Sequence, residues 1–176
     1  GMALKAVASS DADKVHADWP GVKVMSAPGD LLDDPDIDLV VIATPNDTHF
    51  PLAKAALEAG KHVVVDKPFT VTLSQARELE SLAKHCGRIL SVFHNRRWDS
   101  DFLTVSALIN EGQLGEVCYF ESHFDRFRPQ VRQRWREQAG PGSGIWYDLA
   151  RHLLAQVVVL FGLPVSITVD LAQLRP

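Results

Sequence analysis

Two short motifs place residues capable of proton and charge chemistry at fixed spacing. One is Asp66-Lys67-Pro68, directly after the apolar run Val63-Val64-Val65; the other is Asp148-x-x-x-His152 within a helical stretch. Histidine changes charge near neutral pH and can take a proton from a hydroxyl, while lysine can hold a positive charge against an oxygen becoming an alkoxide. An aspartate four residues before a histidine shares its helix face and can orient or charge the imidazole. Taken singly, each motif has a plainer account: a solvated lysine before a turn-forming proline, and a surface helix pair. No third ligand is placed beside the Asp–His pair by spacing, so no metal site is expected.

The elements that must position these residues are organised around residues 38–49. Val40 to Ala43 is a short β-branched apolar run, the pattern of a parallel strand buried on both faces. Thr44-Pro45-Asn46 ends it, because proline cannot donate to a central ladder, and Asn46, Asp47 and Thr48 are good helix caps. A buried strand running into a capped helix start is where open α/β sheets hold ligands. The pattern then repeats: a helix over 48–59 with Leu52, Ala55, Ala56 and Ala59 on one face, and strand 63–65. A helix from Thr72 or Ser74 to Gly87 and strand 89–93 follow, and Asp99 caps a further helix. Earlier in the chain, residues 4–9 and 22–25 read as strands, with Asp30 capping a single helical turn between strands. After Gly115 the grammar changes. Residues 117–124 and 166–171 read as strands with partial alternation, and 146–161 as a helix.

The chain has 176 residues, 46% hydrophobic and 23% charged, which fits a globular protein with an ordinary core. A formal charge of −4 argues against nucleic acid or an anionic membrane as partner. No apolar run approaches the roughly 18 residues of a membrane span. Cys86 and Cys118 lack metal-ligand spacing and suit a reducing compartment, so a cytoplasmic location is expected.

With its motifs in this order, the chain resembles the Gfo/Idh/MocA family of NAD(P)-dependent oxidoreductases. The resemblance rests on Ala43-Thr44-Pro45-Asn46 with His49, on Gly60-Lys61-His62-Val63 leading to Asp66-Lys67-Pro68, and on Asp148-x-x-x-His152. It implies hydride transfer between NAD or NADP and a sugar, polyol or related hydroxy compound. It implies catalytic roles for Lys67, Asp148 and His152, and places Thr44, Pro45, Asn46, His49 and Asp66 on the cofactor side. Ser9 and Ser10 stand where such folds choose between cofactors: a carboxylate holds a ribose 2′-hydroxyl and serines leave room for a phosphate, but Asp11 follows at once and the choice stays open. His94, Asn95 and Arg97 end the next strand and could face substrate, although solvated loop residues are an equal reading. Arg126, Arg128, Arg132, Arg134 and Arg136 could hold an anionic group, a charged loop being the simpler account.

The chain departs from the family pattern in several places. Asp66 replaces the usual glutamate, and Ala150 stands where glycine is common. The Gly-x-Gly-x-x-Gly phosphate loop and its strand do not occur, and only two strands represent the second sheet. The expected fold is therefore α/β: a Rossmann-like doubly wound parallel sheet lacking its first strand (residues 1–115), followed by part of a second α/β domain (116–176). Strand 4–9 is expected to shift beside strand 40–43, making a five-stranded sheet and filling the gap. Lys67 and His152 are expected to face one cleft. The second unit, with two strands, is expected to pair with another copy in a homodimer. An oxidoreductase truncated at both ends, its nucleotide grip reduced, is the first expectation. A non-enzymatic remnant or dimerising interaction module that keeps the fold is the alternative.

Overall fold

The structure, a computed structural model, describes residues 1–125, 127, 129–130, 137 and 140–172. It divides into two compact units, Gly1–Phe93 and His94–Pro176.

The first unit alternates short parallel strands with helices: β1 (Ala6–Ala8), α1 (Ala12–Asp18), β2 (Lys23–Met25), α2 (Pro28–Asp33), β3 (Leu39–Ile42), α3 (His49–Glu58), β4 (His62–Asp66), α4 (Leu73–His85) and β5 (Leu90–Phe93). All pairings are parallel, and they form two sheets, β1-β2 and β3-β4-β5. This is the α/β, Rossmann-like class that strand–helix alternation implies.

The local signals act as their chemistry requires. Thr72 caps α4 in a reciprocal box: its hydroxyl accepts the Gln75 N–H, and the Gln75 side chain accepts the Thr72 N–H, each at 3.3 Å. Gly60 ends α3 at φ 74°, where a side chain is strained. The Gly60 and Lys61 N–H groups return to the Leu57 and Ala56 carbonyls, both at 2.9 Å, and the chain passes straight into β4.

The core lies between β3–β4 and helices α3 and α4, built from Ile42, Ala53, Ala56, Leu57, Val63, Val65, Leu79 and Ala83. Each fully buried Leu or Val contributes about 1.5–3 kcal/mol, against about 0–1 kcal/mol for a surface ion pair. The three-stranded sheet with its two helices is thus the stable part. The β1–β2 sheet buries Met25, while α1 and α2 bury no residue.

Several expectations need correction here. Residues 4–9 have no ladder to residues 40–43, so the five-stranded sheet does not form. Instead α2 and the loop after it join the two sheets. Lys5 Nζ meets Asp36 at 2.9 Å, Lys61 Nζ donates to the Asp34 carbonyl at 2.7 Å, and Leu32 packs against the core. The shift was expected because unpaired edge groups are costly when dry, but Val41 on β3 is 65% exposed, so water reaches this strand. That exposure also shows that the apolar run of β3 is covered on one face, not two. The buried face of α3 is His49, Ala53, Ala56 and Leu57, rotated from the expected stripe because β3–β4 and α4 lie on that side. Asp30 does not start α2 as its cap; it sits inside the helix and accepts the Ala27 N–H at 3.3 Å.

In the second unit, a 3-10 turn at Asn95–Trp98 leads into α5 (Ser100–Asn110). Asp99 precedes α5, but its carboxylate is taken by Arg96 at 2.9 Å and makes no capping bond. A π-helical turn, Trp146–Ala150, opens into α6 (Arg151–Phe161). The strands expected over 117–124 and 166–171 do not form. A strand exists by pairing, and among the described residues neither segment has a ladder partner. Both are largely exposed, with Phe120 edge-on to Phe161 at 5.3 Å between ring centres.

Candidate active site

The turns that follow β3 and β4 stand at the same end of two adjacent parallel strands, whose register runs from Leu39 opposite His62 to Ile42 opposite Val65. In an open α/β sheet this carboxyl edge is the ligand edge. The first turn is closed by its own hydroxyls. Thr48 donates to the Pro45 carbonyl at 2.7 Å, which leaves Thr44 as the donor in the 2.6 Å contact between the two threonine hydroxyls. Thr44 and Pro45 are exposed, while Asn46 is buried.

The second turn places Asp66 and Lys67 half-buried. The Asp66 carboxylate accepts the Lys67 N–H at 2.8 Å, so the shorter acid folds back on its own strand end. The Lys67–Pro68 peptide is cis, and Pro68 is fully buried. His49, the first residue of α3, lies between the turns. Its Nδ1 is 2.7 Å from the Pro68 carbonyl and its Nε2 is 2.9 Å from the Thr44 carbonyl. The fold therefore brings Thr44, Pro45, Asn46, His49, Asp66 and Lys67 to one locality.

Ser9 and Ser10 follow β1, in the other sheet. The Ser9 hydroxyl accepts the Asp11 N–H at 3.1 Å, and the Asp11 carboxylate caps α1 through the Lys14 N–H at 3.0 Å. Both side chains are engaged in shaping this turn, and Ser10 is exposed.

The second unit collects the other expected residues. The π-helical turn carries Asp148 and the first turn of α6 carries His152, so the pair sits across a change of helical pitch rather than on one regular face. Such widened turns recur at functional sites. His152 is buried and Asp148 half-buried. α6 packs against the turn that holds Asn95 and Arg97, and the Gln156 side chain donates to the Arg96 carbonyl at 3.0 Å. His94 is half-buried, whereas Asn95 and Arg97 are exposed. The Arg96 guanidinium lies 5.1 Å from the Phe124 ring centre. Beside this helix Phe124, Ile145, Trp146, Leu149, Ala150, Leu153 and Leu171 line an apolar cavity of about 180 Å³.

Arg151 had no sequence signal beyond its place next to His152. Its guanidinium stacks 4.4 Å over the Tyr147 ring; burial lowers its hold on the proton, and Tyr147 works in the opposite direction. The π turn fixes that spacing, and no residue pattern announces it. Arg126, Arg128, Arg132, Arg134 and Arg136 lie outside the described residues. Among the described residues, no group of three or more His, Cys, Asp or Glu side chains is placed to hold a metal ion. No described helix is long and apolar enough to cross a membrane.

Comparison with known proteins gives the geometry a context. Residues 1–94 match the profile of the GFO_IDH_MocA oxidoreductase family, NAD-binding Rossmann fold, and residues 106–176 match that of its C-terminal alpha/beta domain. The chain is 77% identical over 176 residues to the uncharacterized oxidoreductase YdgJ of Escherichia coli, covering 100% of this chain and 51% of that one. It is 38% identical over 172 residues to the scyllo-inositol 2-dehydrogenase (NADP(+)) IolW of Bacillus subtilis, covering 98% and 48% respectively. A solved structure of a putative oxidoreductase from Yersinia pestis superposes with a TM-score of 0.93 at 66% identity, covering 100% of this chain and 50% of that one. The chain thus spans about half the length of the curated relatives it matches.

Proposed function

The chain belongs to the Gfo/Idh/MocA family of oxidoreductases, and from that premise we propose that it carries an NAD(P)-dependent site for a sugar, polyol or related hydroxy compound. The observation that carries this reading is the pair of turns after β3 and β4, closed on themselves and on each other at the ligand edge of one parallel sheet. The relative named scyllo-inositol 2-dehydrogenase supports a polyol and supports NADP alongside NAD.

The residues present fit the hydride-carrying end of such a cofactor. Thr44 and Pro45 offer an exposed shelf, and Asp66 and Lys67 stand half-buried beside it. A pyrophosphate is different, because it needs backbone that only glycines let come close, and neither the Ser9–Asp11 turn nor the Thr44–Asn46 turn contains one. Bound NAD(P) supplies a hydride acceptor. In the proposed step the Lys67 ammonium faces the substrate oxygen and stabilises its growing negative charge. His152 takes the hydroxyl proton, and Asp148 orients the imidazole. The carbinol carbon loses a hydride and a carbonyl remains.

Titration with NADH and NADPH, followed by nucleotide fluorescence and thermal shift, tests this reading. Saturable binding of either is expected. An unchanged melting curve at millimolar nucleotide removes it. One observation favours a second reading, in which the chain is a self-associating module without catalysis: the segments around Tyr119 and from Val165 to Leu171 expose apolar side chains. Sedimentation showing a folded monomer at micromolar concentration removes that alternative.

A further inference from the structure

His49 is gripped from both sides by main chain, and the two grips belong to different turns. Its ring is 1% exposed, with Nδ1 at 2.7 Å from the Pro68 carbonyl oxygen and Nε2 at 2.9 Å from the Thr44 carbonyl oxygen. Both distances are those of good N–H···O bonds. A carbonyl oxygen only accepts, and a neutral imidazole has a single N–H to give. With one proton, the ring would press a bare nitrogen lone pair against the second oxygen in a dry site, where an unmade bond is expensive. With a proton on each nitrogen both bonds close, and the buried positive ring has an acceptor at each end.

The position matters as much as the chemistry. The β3–β4 ladder ends at Ile42 opposite Val65, and the turns begin beyond it. His49 carries the connection past that end and, as the first residue of α3, anchors the helix to both turns. We propose that His49 is a positioning residue that donates from both ring nitrogens, locking the Thr44 turn to the Pro68 turn so that Thr44, Asp66 and Lys67 keep one fixed geometry. The consequence for the cofactor rests on the function proposed above; the clasp itself does not.

Histidine-selective ¹⁵N labelling of the full chain reads the ring directly. His49, assigned by the signal lost in His49→Phe, is expected to show two protonated ring nitrogens. One unprotonated nitrogen overturns the proposal. The phenylalanine variant keeps the ring volume without the donors. It is expected to speed amide exchange at Thr48 and Lys67 by about tenfold, the factor that one buried hydrogen bond sets, with α4 and β5 changed much less. Equal acceleration throughout the unit marks ordinary core destabilisation and overturns the positioning role. If the variant does not fold, His49 can be assigned from the wild-type backbone, and its nitrogen signature still decides. Nucleotide titration separates the two readings. Two protonated nitrogens with no response to NADH or NADPH keep the clasp and remove the nucleotide function, and one unprotonated nitrogen with saturable binding does the reverse.

Discussion

Gln156 donates its side-chain amide to the Arg96 carbonyl at 3.0 Å, across sixty residues of sequence. This bond ties α6, which carries His152, to the turn that carries Asn95 and Arg97. Gln156→Leu keeps the apolar volume and leaves the Arg96 carbonyl without this donor. The bond is part-buried and the Arg96 carbonyl keeps the Asp99 N–H at 3.5 Å, so the cost is that of one ordinary hydrogen bond, about 0.5–1.5 kcal/mol. The urea midpoint is expected to fall with an unchanged slope, and amide exchange around 94–98 to rise. A variant as stable as the parent, with that turn equally protected, shows that the bond does not hold the two elements together.

The first unit was readable because its signals are local. Thr72 and Gln75 form the capping box at the start of α4, Gly60 ends α3, and Val63-Val64-Val65 is a strand. What could not be read depends on partners that sequence spacing does not name. The buried face of α3 includes Ala53 and His49 because α4 and β4 lie on that side, and Ala55 is equally plausible on a helical wheel. Residues 117–124 and 166–171 have strand-like composition, but composition cannot supply a neighbouring strand. Among the candidate site residues, the positions of Thr44, Asn46 and Lys67 at strand ends were legible. The π turn that carries Asp148 ahead of His152 was not, since one extra residue in a helical turn leaves no periodic trace.

Lys5 and Asp36 link the strand region of one sheet to the approach to the other at 2.9 Å. Their hydrogen bond, and then their charge attraction, hold the Asp36 carboxyl below its ordinary 3.8 and raise the Lys5 ammonium above its ordinary 10.5. The depressed acid contributes fully above the ordinary carboxylate range and loses its contribution as pH falls through the lowered value. The raised base contributes fully below its ordinary value and loses its share as pH climbs through the raised one. Both groups are exposed, so the effect is small and screened by salt. The melting-temperature difference between the parent and Asp36→Asn is expected to stay level from about pH 5 to 9 and to shrink below the carboxylate range and in high salt. A difference that survives both acid and salt unchanged assigns the effect of Asp36 to something other than its charge.

Lys67 belongs to the first unit and His152 to the second, and the proposed reaction needs both at one carbinol. Lys67 is half-buried and follows Asp66, whose carboxylate accepts the Lys67 N–H at 2.8 Å. In the proposed reaction the Lys67 ammonium serves the transition state, where charge on the substrate oxygen is greatest, more than the ground state. A residue that acts only there leaves nucleotide affinity alone when removed and lowers turnover by itself. Lys67→Met and His152→Gln are each expected to reduce turnover of a polyol such as an inositol by about 10²–10⁴, the scale of a lost acid–base or electrostatic partner, with the nucleotide Kd within a few-fold of the parent. Because the proposed reaction assigns the two groups to one oxygen, it predicts that the double variant loses less than the product of the single losses. Nucleotide affinity that falls in step with turnover in Lys67→Met makes Lys67 a binding residue, and losses that multiply in the double variant place the two side chains at separate tasks.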